Sequence, residues 1–195
     1  MALERRVNEY LFHEFGLDDE EDAGRIAKET LVEWTKKVER LVTFYRTRTR
    51  DGAPFFLYEA APPRAIAWPE GFPSPAGLLR FYELCGGGRF GFIDRWLPVE
   101  EVPLWTERWC AGLQDDNGRD VLERARHVVF ANDADGTPWI LDASSGRVAS
   151  YYFKGGSWEE PQFDGFDEFM DYALSTNLHG ENWALAARSI FGEGA

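Results

Sequence analysis

From His127 to Asn132 the chain reads HVVFAN, an apolar and β-branched run suited to a strand packed into a sheet. Turn chemistry follows at once. Asp133-Ala134-Asp135-Gly136 offers Asp side chains that bond the local backbone and a glycine that tolerates positive φ. Thr137 to Asp142 is a second strand, with Pro138 near its start, where a missing N–H does least harm. Ser144-Ser145-Gly146 turns the chain again, and Arg147 to Phe153 returns as a third strand. This pattern predicts a three-stranded antiparallel meander, ended by Lys154-Gly155-Gly156. The period then changes. Phe166, Phe169, Met170, Ala173 and Leu174 recur at helical steps and share one face, so a helix with Asp164 as its cap is expected to cover the sheet.

Upstream, Phe72 to Gly87 reads as a helix that begins beside a proline and ends in glycines, Phe90 to Leu97 as a strand, and Pro98 to Val102 as an exit turn. Residues 102–126 read as irregular, with Trp105, Trp109 and a polar break from Gln114 to Gly118, then a helical turn to Arg126. Nearer the start, Leu3, Val7, Tyr10, Leu11 and Glu14 suggest a short amphipathic helix. The acidic run Asp18 to Asp22 precedes a second one, whose face carries Ala27, Leu31, Trp34, Val38 and Leu41. Residues 42–50 are β-branched and aromatic, Asp51-Gly52 is a hairpin signal, and Phe55 to Tyr58 would be the returning strand. A helix continuing through Arg46 is the competing reading. In the strand reading Arg46, Arg48 and Arg50 line one face. Five prolines between Ala60 and Pro75 mark a connection, and Trp183, Ala186, Ala187, Ile190 and Phe191 predict a closing C-terminal helix.

The order of these elements from about Ile66 to Leu174 resembles the SUKH superfamily, the SMI1/KNR4 family. The resemblance rests on Phe72 to Gly87, the strand beginning at Phe90, and above all the run from His127 to Leu174. It implies an α+β fold, a twisted and mainly antiparallel sheet covered by helices. Around it the chain divides into an N-terminal α/β extension (1–60), a Pro-rich connection (61–75), the SUKH-like domain (66–174) and an extra C-terminal helix (175–195). The resemblance also implies a protein that grips other proteins without catalysis or cofactor, typically an immunity factor against a cognate bacterial toxin such as a nuclease. A regulatory or scaffolding role, as in the family's eukaryotic members, is the alternative, and an enzyme of unrecognised type ranks below both.

Composition constrains these readings. A chain of 195 residues with 44% hydrophobic content and eight Trp has enough apolar surface for a proper core. No apolar run reaches the ~18 residues that span a bilayer, and the N-terminus lacks an apolar signal region, so a cytoplasmic protein away from membranes is expected. Net charge is −13. Residues 1–60 hold ten Lys or Arg against thirteen Asp or Glu, and the remainder eleven against twenty-one, so the SUKH-like part is the acidic part. Such a field repels phosphate backbones and attracts basic protein surfaces.

Chemical motifs are few. Gly86-Gly87-Gly88-Arg89-Phe90-Gly91 matches the dinucleotide fingerprint, but helix-then-strand is the wrong order for it, and a helix C-cap with a tight turn is the expected role. Asp133 to Gly136 opens like a calcium loop that then runs short of carboxylates. His13, His127 and His179 have no metal spacing, and Cys85 and Cys110 are read as free thiols. What remains is surface. Trp158 beside Glu159 and Glu160, with Asp164, Asp167, Glu168 and Asp171 on the closing helix and Glu100 and Glu101 on the exit turn, forms the candidate partner-binding set. The expected partner is a protein with a basic surface, bound by a monomer or weak dimer.

Overall fold

The computed structural model describes residues 34–48, 59–64, 68–114, 118, 120–159, 162–175 and 190. The fold is α+β. Among the described residues, helix α1 (Trp34–Arg48) leads to strand β1 (Glu59–Ala60), helix α2 (Ala76–Leu84), strands β2 (Gly88–Phe90) and β3 (Ile93–Trp96), and helix α3 (Val102–Gly112). Strands β4 (His127–Asn132), β5 (Pro138–Asp142), β6 (Val148–Tyr152) and β7 (Ser157–Trp158) follow, and helix α4 (Phe166–Ala173) closes the sequence. The strands form one open sheet in chain order, each antiparallel to the next. The expected meander is its centre, with His127 opposite Asp142 and Ile140 opposite Ala149.

One face of the sheet is an aromatic layer. Phe90 and Phe81 stack on Trp96 at 5.1 and 4.8 Å, and Phe130 and Trp139 meet Phe169 of α4 at 5.4 and 5.0 Å. The stripe read from the sequence explains this, since Phe166, Phe169, Met170, Ala173 and Leu174 are all buried. Helix α1 packs against α2, α4 and β1. Its Trp34 meets Phe166 edge-on and donates from Nε1 to Asp167 at 2.8 Å.

The opposite face carries α3, which lies over β4. At the register shift between Val129 and Ala131 the N–H of Val129 leaves the ladder and donates to Thr106 Oγ1 of α3 at 3.0 Å. A buried donor thus keeps a partner.

Several expectations change. Residues 42–48 are helical, so the strand reading of that segment falls; Trp34, Val38, Leu41, Val42 and Tyr45 are buried at helical steps, and tertiary burial overrides β propensity. Residues 102–112 are a regular helix rather than an irregular stretch. Only Val102 and Thr106 are buried on it, a stripe too narrow to show as periodicity. Phe90 to Leu97 is not one strand. The chain reverses at Gly91, whose φ is +66° and where a Cβ would run into the carbonyl oxygen of Ala173. The preceding glycines do not cap α2, since Cys85 holds that position in an extended conformation. Gly88, at φ +140°, lets β1 approach so closely that a side chain would strike the Glu59 carbonyl. Asp164 is not the cap of α4 either: Gly165 takes the position, and Glu168 reaches back to accept the Asp164 N–H at 2.8 Å.

The helices expected before residue 34 and the returning strand at 55–58 lie outside the described residues. So does the C-terminal helix, except that Ile190 is helical and packs on the core.

Candidate functional site

The turn between β4 and β5 shows how the acidic motifs are used. Gly136 N–H donates to the Asp133 carbonyl and Thr137 N–H to Asp135 Oδ1, both at 2.9 Å, while Trp139 Nε1 donates to Asp133 Oδ1. Burial pushes the Asp133 carboxyl up to about 6, against the Trp139 hydrogen bond that favours its charged form. These aspartates are hairpin parts, as the turn reading expected.

The candidate carboxylates are dispersed. Glu100 faces Arg64 at 3.3 Å, and Glu101 takes both oxygens to Arg95 at 2.7–2.8 Å while accepting Trp105 Nε1 at 3.2 Å. Asp167 accepts from Trp34. Asp171 sits against α1, where burial pushes its carboxyl up to about 6 although the buried Lys37 ammonium pulls it down. Glu159 accepts from Ser150 Oγ at 2.9 Å, Glu168 holds the start of α4, and Asp164 stands 3.9 Å from Arg147. Glu160 lies outside the described residues. Most of this set thus ties elements together: Glu100 and Glu101 on the exit turn, Asp167 and Asp171 under α1.

What surrounds Trp158 is different. The indole is 39% exposed and is braced edge-on by Tyr151 at 5.2 Å. It walls a groove of about 220 Å³ on the face that carries α3, at the end of the sheet where β4 and β6 begin. Ile140 and Ala149 form the floor, and Arg126, Arg147 and Gln162 the rim. The Arg126 guanidinium grips Asp142 through Nε at 2.9 Å and Nη2 at 2.7 Å. Asp142 also accepts from the hydroxyls of Ser144 and Ser145 at 2.6 and 2.7 Å. The Arg126 bond and these hydroxyls hold its carboxyl well below the usual range, against burial that opposes them. Arg147 donates to Gln162 Oε1 at 2.9 Å. His127 lines the groove with its Nδ1 accepting the Glu123 N–H at 2.9 Å; burial lowers its pKa, so the neutral ring is favoured.

Sequence reasoning singled out Trp158 but missed the arginines. A signal for them exists. In a meander alternate strands run the same way, so the residues just before β4 and β6, Arg126 and Arg147, must emerge at the same end of the sheet.

No helix among the described residues is long and apolar enough to cross a membrane. In comparisons with known proteins, no family model, no curated protein and no solved structure matches this chain.

Proposed function

We propose that this chain is a SUKH-like protein-binding module, acting in the cytoplasm as an immunity protein that neutralises a cognate toxin by occluding its active face. The observation that carries the reading is the succession of opening helix, strands, meander and closing helix, which resembles the SUKH order and here stands on one antiparallel sheet. The net charge of −13 supports a partner with a basic surface, a nuclease among them, because the summed field acts at distances where local pairings of Glu100, Glu101 or Asp167 no longer matter. Trp158 supplies an exposed aromatic anchor of the kind that dominates binding energy.

Co-expression with toxin-like genes adjacent to its own tests the proposal: the chain should bind one of them and restore growth. Failure to bind or protect against any of them removes it, and a gene without a neighbouring toxin favours the regulatory or scaffolding role. Association should also slow as salt rises, since the screening length falls from ~10 Å at 0.1 M to ~3 Å at 1 M.

A further inference from the structure

The groove beside Trp158 is charged at its rim and electrically balanced. Arg126 is matched by Asp142, and Arg147 by Gln162 and, at 3.9 Å, by Asp164. Asp142 is also saturated. Besides two nitrogens of Arg126 it accepts the hydroxyls of Ser144 and Ser145 and the Ser144 N–H. An added ammonium would face two guanidinium groups, and an added carboxylate would meet two others that already hold those cations. A neutral occupant avoids both conflicts.

One donor in the groove is left over. His127 is only 6% exposed and lines the groove. Its Nδ1 accepts the Glu123 N–H, so the neutral ring carries its proton on Nε2, and that N–H has no acceptor among the described residues. Covering it without supplying an acceptor would leave a buried donor unpaired.

Strand register places that donor beside apolar surface. His127 pairs with Asp142, Ile140 with Ala149 and Tyr151 with Trp158, so by steps of two His127, Ile140, Ala149 and Trp158 share one face of the sheet. The imidazole on β4 and the indole on β7 are three strand spacings apart, about 14 Å at the backbone. Ile140 and Ala149 pave the two strands between them. The groove of about 220 Å³ lies below the ~300 Å³ at which pockets for drug-sized ligands and cofactors begin, and suits a single side chain.

We propose that this groove receives a tyrosine side chain of a partner protein. The ring lies on Ile140 and Ala149 against Trp158, and the hydroxyl oxygen accepts the His127 Nε2–H. The guanidinium groups of Arg126 and Arg147, engaged through their edges, keep flat faces that stack on a ring. Other neutral side chains fit less well. Phe and Leu leave the His127 N–H unpaired, Trp offers a donor and no acceptor, and Asn and Gln bring little apolar area. The inference rests on the preceding reading only in taking the ligand from a protein. It adds that the local anchor is neutral and aromatic, although the long-range field attracts basic surfaces.

Four capped peptides alike except at one position test this, acetyl-Gly-Tyr-Gly-amide and its Phe, Glu and Lys counterparts, titrated into the full chain and followed by amide, indole and imidazole nitrogen shifts. The Tyr peptide should move the Trp158 indole, the Ala149 amide and His127 Nε2, and bind about tenfold more tightly than the Phe peptide. The Glu and Lys peptides should bind more weakly than either. His127→Asn retains an acceptor for the Glu123 N–H but lacks the second donor, so it should abolish the preference for Tyr over Phe. Trp158→Ala should weaken both aromatic peptides while the amide spectrum elsewhere stays folded. Equal binding of Tyr and Phe by the parent chain, tighter binding of Glu or Lys, no binding at about 10 mM, or shifts confined to other surfaces overturns the proposal. So does p-cresol bound more tightly than the Tyr peptide, which would assign the groove to a small phenol. A Trp158→Ala chain that loses the peptide yet still protects against its toxin would sink the groove alone. A chain that binds the Tyr peptide but protects against nothing would sink the immunity reading alone.

Discussion

The two faces of the sheet are built on opposite rules. Under α2 and α4 the face is a closed aromatic layer in which Phe81, Phe90, Trp96, Phe130 and Phe169 touch one another at 4.8–6.3 Å. On the other face α3 rests over β4 on a narrow stripe, and at its side Trp158 walls a groove rimmed by charges held by other polar groups. Close packing makes the first face intolerant of change, since a lost side chain leaves a void. The second is fixed by hydrogen bonds at its rim, so single changes there should alter recognition more than stability.

The strongest challenge to that contrast is Phe169→Ala, expected to cost about 3–5 kcal/mol in denaturant unfolding because the ring bridges α4 to Trp96, Phe130 and Trp139. A cost no greater than that of a groove substitution would break the comparison. Gly91→Ala comes next, with a loss of about 1–3 kcal/mol, since the residue must hold positive φ against the Ala173 carbonyl. On the groove side, Asp142→Ala should cost about 1–2 kcal/mol and broaden the Arg126 side-chain signals, because it releases a guanidinium and two hydroxyls together.

Asp133→Asn sharpens the contrast through pH. The folded carboxyl titrates at about 6 against a usual value of 3.8, so the folded state holds the proton more tightly. Its contribution to stability is therefore complete below the unfolded value and is lost as pH rises through about 6. Between about pH 4 and about pH 7 the parent should lose on the order of 1 kcal/mol more than the Asn variant, measured by chemical denaturation at each pH. His127, whose pKa is lowered, runs the other way: its contribution is present above its unfolded value and is lost as pH falls through the folded one, and it is common to both proteins. The smallest stability effect belongs to Trp158→Ala, at about 1 kcal/mol or less, with the loss appearing in partner binding instead.

Much of the fold was legible because its signals are local. The β4–β5–β6 meander follows from β-branched runs and Asp, Ser and Gly turns, and α4 from an apolar stripe at helical steps. Helix α3 was not legible, since two buried positions in eleven residues make no period. The helical course of residues 42–48 was left open, because β propensity and the burial of Val42 and Tyr45 point to different structures. The site was legible only in Trp158. Adjacent carboxylates in the sequence suggested an acidic patch, but contacts distant in the chain, such as Trp34 to Asp167 and Ser150 to Glu159, draw them into structural roles.

The sequence by itself determined the meander, its turns, the closing helix and the strongly negative charge, all set by side-chain period, turn chemistry and composition. Only the tertiary structure decided which charges face the groove. That depends on Arg126 and Arg147, twenty-one positions apart, being carried to one end of the sheet by an intervening antiparallel strand, and on Asp142 being locked beside them by hydrogen bonds.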